Sequence, residues 1–220
     1  MGGHDPYSSS KACAELVAAA YRRSFFSSQA GRTPCAIATA RAGNVIGGGD
    51  WCDDRLIPDI VRALSRNEGP TVRNPSAVRP WQHVLEPLCG YLMLAERLAG
   101  GDARRYADAW NFGPRDDDAR DVRWITERFL EFWGKARTWR QPEEGGQPHE
   151  TQMLKLDASK ARTHLGWEPV MDVEEALRDT VSWYRNHVAG KDMLQFSLAQ
   201  IGAYTERARC VESRSGVPGA

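Results

Sequence analysis

The chain has 220 residues, 41% of them apolar and 26% charged. These are the proportions of an ordinary globular protein, long enough for one sizeable domain or a domain with a lobe. Twenty-nine basic side chains are balanced by 29 acidic ones, which argues against nonspecific attraction to nucleic acid or to an acidic membrane surface. No apolar run reaches about 18 residues, and Met1-Gly2-Gly3-His4-Asp5 lacks the basic start and apolar core of a signal peptide. Neither a membrane span nor export is expected, and the cytoplasm is the default location. The five cysteines, at 13, 35, 52, 89 and 210, form no Cys-x-x-Cys, and no two histidines have a metal-binding spacing. Free, mostly buried thiols and no metal site are expected.

In chain order, Asp5-Pro6 supplies an N-cap and a first-turn proline for a helix running through Tyr21. Its many alanines and leucine favour the helix, and its apolar stripe predicts that one side is buried. Tyr7 and Lys11 stand four residues apart in the first turns, so both side chains lie on one face. An ammonium beside a phenol favours the phenolate, which makes the pair a candidate acid/base couple. The same spacing also occurs on helices with no such role.

Cys35 to Ala40 reads as a strand, followed by Arg41-Ala42-Gly43-Asn44 and the run Gly47-Gly48-Gly49-Asp50-Trp51. The glycine run does not have the Gly-x-Gly-x-x-Gly pattern and is expected to be a flexible turn. Leu56 to Leu64 predicts a short amphipathic helix with Pro58 near its start, and Thr71 to Arg73 a short strand. Val84 to Leu98 predicts an apolar helix closed by Gly100-Gly101, and Ala109 to Phe112 a strand. Arg115 to Asp121 is expected to be a charged loop. Further helices are predicted over Val122–Trp133, Ala158–Leu165, Val173–His187 and Met193–Tyr204, with a frayed tail from Cys210. Alternating strands and helices favour an α/β fold with a parallel sheet.

Tyr7-x-x-x-Lys11 opening a helix, then a strand and Arg41-x-Gly43-Asn44, resembles the extended short-chain dehydrogenase/reductase family. The longer stretches Gly2 to Lys11, Ala42 to Trp51 and Arg79 to Leu88 are similar to its nucleotide-sugar 4,6-dehydratase branch, in the form acting on CDP-linked sugars. The similarity runs from the first residue to about Tyr204. It implies the C-terminal part of a Rossmann-like parallel sheet plus a small mixed α/β substrate-binding lobe. Residues 1–54 and 80–115 would belong to the core, 55–79 and 116–207 to the lobe, and 208–220 to a flexible tail.

The resemblance also implies chemistry. With NAD as cofactor, Tyr7 would take the proton of the sugar's carbon-four hydroxyl as hydride leaves that carbon. Water would then be lost across carbons five and six and the hydride would return to carbon six, giving a 4-keto-6-deoxy sugar still attached to CDP. Lys11 would hold the cofactor ribose and keep the Tyr7 pKa low, so that Tyr7 and Lys11 are both catalytic and cofactor-binding. Asn44, Arg73, Arg79 and Glu150 would contact the CDP-sugar substrate, Arg79 by presenting its fork of donors to phosphate. The family's Gly-rich pyrophosphate turn and its acidic elimination groups lie upstream of the tyrosine, and Met1 stands six residues before Tyr7. Activity is therefore expected to need a further half, through a truncated gene, a mis-called start or a split protein. A homodimer, partly through the Tyr7 helix, or pairing with a separate N-terminal half is expected. The alternatives are a non-catalytic sugar-nucleotide-binding or pairing fragment, or a related epimerase or dehydratase using another nucleotide.

Overall fold

The structure is a computed structural model, and it describes residues 5–26, 35–136, 138–142 and 152–215. The chain packs as two units, each assembled from separated stretches. One comprises residues 1–41, 88–112 and 158–167; the other comprises 42–87, 113–157 and 168–220.

The first unit opens with helix α1 (Pro6–Phe25). Its start is fixed as the sequence predicts. Asp5 accepts from the Ser8 N–H at 2.9 Å and from the Ser8 hydroxyl at 2.6 Å, and Pro6 fills the first helical position. These bonds, the hydroxyl first, hold the Asp5 carboxyl below its ordinary pKa. The expected buried side is not found. No α1 residue is fully buried, and Leu16, Val17, Tyr21 and Phe25 are exposed. The helix is tied down by polar contacts instead. Arg22 donates to the Ile37 carbonyl at 2.8 Å, and Glu15 accepts from Thr39 at 2.9 Å and pairs with Arg41 at 3.2 Å.

Strand β1 (Thr39–Ala42) pairs with β4 (Ala109–Phe112). Alternation along β4 turns Trp110 and Phe112 inward, where they meet Leu94, Ala158, Ala161, Leu165 and Trp167. Leu94 comes from α3 (Leu85–Ala99), which begins in the second unit. A β-carbon on Gly90 of α3 would lie 2.2 Å from the Phe112 ring, so this helix reaches the strand only because position 90 has no side chain. After the short helix α4 (Ala103–Tyr106), Lys160 pairs with Asp108 and covers the Trp110 ring at 4.5 Å. Residues Ala161–Leu165, predicted as an α-helix, form a π-type turn ended by Gly166 in a left-handed conformation.

The second unit holds a three-stranded sheet in the order β2-β3-β5. β2 (Asn44–Ile46) runs parallel to β3 (Val78–His83), with Asn44 opposite Trp81 and Ile46 opposite His83. β5 (Ala119–Asp121) runs antiparallel on the other side of β3. Helices α2 (Leu56–Ser65), α5 (Val122–Trp133) and α6 (Val173–Val188) supply the core: Ile57, Ile60, Val61, Ile125, Phe129, Leu177, Val181 and Tyr184 with Trp81 of the sheet. Each such side chain contributes roughly 1.5–3 kcal/mol by leaving water. Side-chain and glycine caps close these helices. Asp121 accepts from the Trp124 N–H at 2.7 Å, Gly134 closes α5 with φ 83°, and Asp172 and Glu175 form a reciprocal capping box on α6. Helix α7 (Met193–Ser215) packs on α6.

Several expectations are corrected. The first strand starts at Thr39 rather than Cys35, and at Thr71–Arg73 only a single bridge forms, Thr71 to Arg140. The charged segment Arg115–Asp121 contains β5, which the many aspartates hid. The predicted frayed tail is helical as far as Ser215. Free thiols are found, but Cys13, Cys35, Cys52 and Cys210 are exposed and only Cys89 is half-buried. Among the described residues no helix is long and apolar enough to cross a membrane, and no cluster of three metal-ligating groups occurs.

Candidate functional site

Tyr7 and Lys11 are brought together. Lys11 Nζ lies 5.3 Å from the centroid of the Tyr7 ring, over its face. Helix α1 produces this by its i,i+4 geometry, and the Asp5 cap fixes the turn that carries Tyr7. Tyr7 is 72% exposed and Lys11 is exposed as well, so the phenol and ammonium are presented outward.

The remaining described candidates lie in the second unit. Asn44 does not lie in a loop after the strand. It is the first residue of β2, half-buried opposite Trp81. The backbone there runs close to its neighbour, since a β-carbon on Gly43 would fall 2.8 Å from the Pro80 carbonyl oxygen. Arg79 is buried in β3. Its Nη1 donates to the Val78 carbonyl at 2.9 Å and reaches the Gln152 carbonyl at 3.5 Å. Arg73 is exposed and paired with the exposed Asp54 carboxylate at 2.8 Å. Such a pair contributes little in water and exchanges readily for another anion. Glu150 lies outside the described residues.

The glycine run is a packed turn, contrary to the flexible one expected. A β-carbon on Gly47 would lie 2.7 Å from Val84, and one on Gly48 would lie 2.0 Å from the Trp183 indole. Only Gly49, with φ 83°, needs glycine for its backbone conformation. The carbonyls that follow are also fixed: Asp50 accepts from the Tyr184 hydroxyl at 2.6 Å, and Trp51 and Cys52 accept from Arg62 at 3.0 and 3.1 Å. Burial pushes the Tyr184 phenol far up, so it remains a donor.

His83 ends β3 beside this turn, 2% exposed. Its Nδ1 accepts from the Leu85 N–H at 3.4 Å, which leaves the proton of the neutral ring on Nε2. Burial lowers its pKa to about 4. Three residues on, Glu86 is fully buried at the start of α3. It accepts from the Val170 N–H at 3.0 Å, the Met171 N–H at 2.7 Å and the Tyr204 hydroxyl at 3.0 Å. Burial raises its pKa, and these donors oppose the rise. Sequence reasoning assigned Glu86 no role. A lone acid opening an otherwise apolar helix was the available signal.

No family model matches the chain. Over 205 residues it is 49% identical to the CDP-glucose 4,6-dehydratase of Salmonella typhimurium, a match that takes in 93% of this chain and 56% of that enzyme. Among solved structures, dTDP-glucose 4,6-dehydratase (DesIV) of Streptomyces venezuelae with NAD and TYD bound superposes with TM-score 0.67 at 26% identity, covering 82% of this chain and 51% of that one. The dTDP-glucose 4,6-dehydratase of Bacillus anthracis in complex with NAD gives TM-score 0.66 at 22% identity, covering 84% and 54%, a likeness of fold. The chain thus spans about half the length of the relatives it matches. Across the part it spans, the chain is similar in sequence to CDP-glucose 4,6-dehydratase and in fold to nucleotide-sugar 4,6-dehydratases.

Proposed function

We propose that this chain carries the Tyr/Lys pair and the nucleotide-sugar-binding part of an NAD-dependent CDP-glucose 4,6-dehydratase. The observation that carries this is the 49% identity over 93% of the chain, joined to a Lys11 ammonium seated over the Tyr7 ring. The outward-facing pair fits the nicotinamide-ribose end of NAD, with Lys11 donating to ribose hydroxyls and Tyr7 facing the reacting carbon. The sequence contains no Gly-x-Gly-x-x-Gly, so none of its residues is assigned to the pyrophosphate. When bound, NAD supplies a reversible hydride acceptor.

The chain's own part is proton handling and orientation. Tyr7 Oη takes the proton of the carbon-four hydroxyl; carbon four stays a ketone in the product, so that proton is not returned to it but balances one of the two consumed as water leaves and carbon five is reprotonated. Arg79 and Arg73 hold the diphosphate, and Asn44 and Glu150 the sugar and ribose. Trading Asp54 for phosphate leaves Arg73 paired throughout.

A second reading draws on the exposed apolar side chains of α1, Leu16, Val17, Tyr21 and Phe25, and on Leu88 and Leu92 one turn apart on α3. Exposed stripes of this kind mark an interaction face. It would serve a second copy of the chain or a separate half of the enzyme, in the cytoplasm.

The test is conversion of CDP-glucose with added NAD, followed by NMR of the 4-keto product, for the chain alone and for the chain supplemented with the N-terminal half of the Salmonella relative. Tyr7→Phe is expected to lower turnover by about 10²–10⁴-fold with CDP-glucose affinity retained. Turnover undiminished in Tyr7→Phe, or equal conversion of dTDP-glucose, sinks the assignment. Sedimentation of Leu16→Glu against the parent chain tests the pairing face.

A further inference from the structure

We propose that Trp51 is a ligand-contacting residue, stacking its indole on a ring face of the bound nucleotide sugar; this rests on the nucleotide-sugar reading above. The loop from Gly47 to Asp54 leaves the C-terminal end of β2, a strand parallel to β3. Open α/β sheets take their ligands at the C-terminal ends of parallel strands.

The loop backbone is held on both sides of Trp51. Gly48 is packed against Trp183, whose indole N–H donates to Ser197 at 2.9 Å. The Asp50, Trp51 and Cys52 carbonyls are occupied by Tyr184 and Arg62, and the Asp50 carboxylate accepts from the Cys52 N–H at 3.0 Å. The Trp51 ring is oriented as well. It stands edge-on to Tyr184 at 5.3 Å and 82°, and its centroid lies 5.2 Å from that of His187.

Despite this fixing, Trp51 remains 44% exposed. A rigid backbone and a fixed rotamer remove most of the ordering cost of binding, and an exposed indole offers a large contact area. The surroundings select the kind of ligand. Tyr21 and Phe25 share α1 with exposed Leu16 and Val17, an extended apolar face suited to protein. Besides the rings of buried Tyr184 and exposed His187, Trp51 has exposed Cys52, Asp53, Asp54 and Arg55 following it, so the exposed part of the indole lies in polar company, suited to a small polar molecule with a ring. Arg73, paired to Asp54 on the same loop, provides an exchangeable cation for phosphate beside it.

The experiment is calorimetric titration of the 220-residue chain and its Trp51→Leu and Trp51→Phe variants with CDP-glucose, CDP and glucose 1-phosphate. Trp51→Leu is expected to weaken CDP-glucose by about tenfold, and Trp51→Phe by much less. An equal loss for CDP identifies the nucleobase as the stacked ring; a loss confined to CDP-glucose and glucose 1-phosphate identifies the pyranose. Unchanged affinity in Trp51→Leu overturns the inference while leaving the nucleotide-sugar reading intact. Absence of any binding by the parent chain overturns that reading and this inference with it. As a check independent of variant folding, CDP-glucose is expected to shift the Trp51 indole N–H resonance of the parent protein, and an unmoved resonance overturns the inference.

Discussion

Gly48 and Trp183 occupy positions that exclude any side chain between them: a β-carbon on Gly48 would sit 2.0 Å from the indole Cγ and 2.1 Å from Cδ2. The atoms met belong to a ring held by its N–H bond to Ser197, so they cannot swing aside. Gly48→Ala is therefore expected to destabilise by about 1–3 kcal/mol, as overpacking does. In a Trp183→Ala background the same alanine meets open space and its cost disappears. A double-mutant cycle by urea unfolding reads the difference, and purely additive costs would show that the two residues do not compete.

Glu86 makes the second prediction. Its carboxylate is fully buried and accepts from several donors, among them the Tyr204 hydroxyl of α7. Because burial raises its pKa in the folded state, the cost of ionised Glu86 is present above that raised value and relieved as pH falls through it. Tyr204→Phe removes a donor to the charged form. It is expected to cost about 1–3 kcal/mol near pH 8 and less near pH 4, and to speed amide exchange along α7. A cost that does not change with pH would separate Tyr204 from the charge.

The Asp172–Glu175 capping box carries a smaller, local stake. Asp172 accepts from the Glu175 N–H at 2.8 Å, and Glu175 accepts from the Asp172 N–H at 3.1 Å. Asp172→Ala is expected to cost about 1 kcal/mol. The Val173 N–H keeps its bond to Asp118 at 3.1 Å, so the helix start should fray by one turn and no further. Backbone chemical shifts confined to 172–176 would agree; changes reaching Leu177 and Val181 would not.

What the sequence made legible was local. Asp5-Pro6 and Gly134 announced helix ends because caps are made by neighbours along the chain. The span Val122–Trp133 could be predicted to the residue for the same reason. Tyr7 and Lys11 could be paired because a helix alone sets their distance. Relationships between distant segments were not legible. β3 was missed because Arg79, Pro80, Gln82 and His83 carry no strand-like alternation, and their burial comes from β2, β5 and α6. The glycine run looked flexible because its constraint, Trp183, stands more than a hundred residues away. The apolar stripe of α1 was legible, and so was its exposure where no covering strands are present, but what would cover it was not, since a stripe states what a helix is able to bury and not what it meets.

His83 gives the last prediction. It is neutral and buried, with its pKa lowered to about 4 from 6.5 by burial. The unfolded chain binds a proton as pH falls below about 6.5, and the folded protein does not until about 4. Stability is thus lost progressively between those two values, by up to about 3 kcal/mol, and the loss levels off below the lower one. His83→Asn retains an acceptor for the Leu85 N–H, bonded at 3.4 Å in the parent, and removes the titration. Urea unfolding at pH 7.0 and 4.5 is expected to show a smaller fall for the variant than for the parent, since the carboxylates contribute alike to both. If the two proteins lose the same stability over that range, His83 is not held neutral, and the packing of Gly47 and Val84 beside its ring would have to admit a charge.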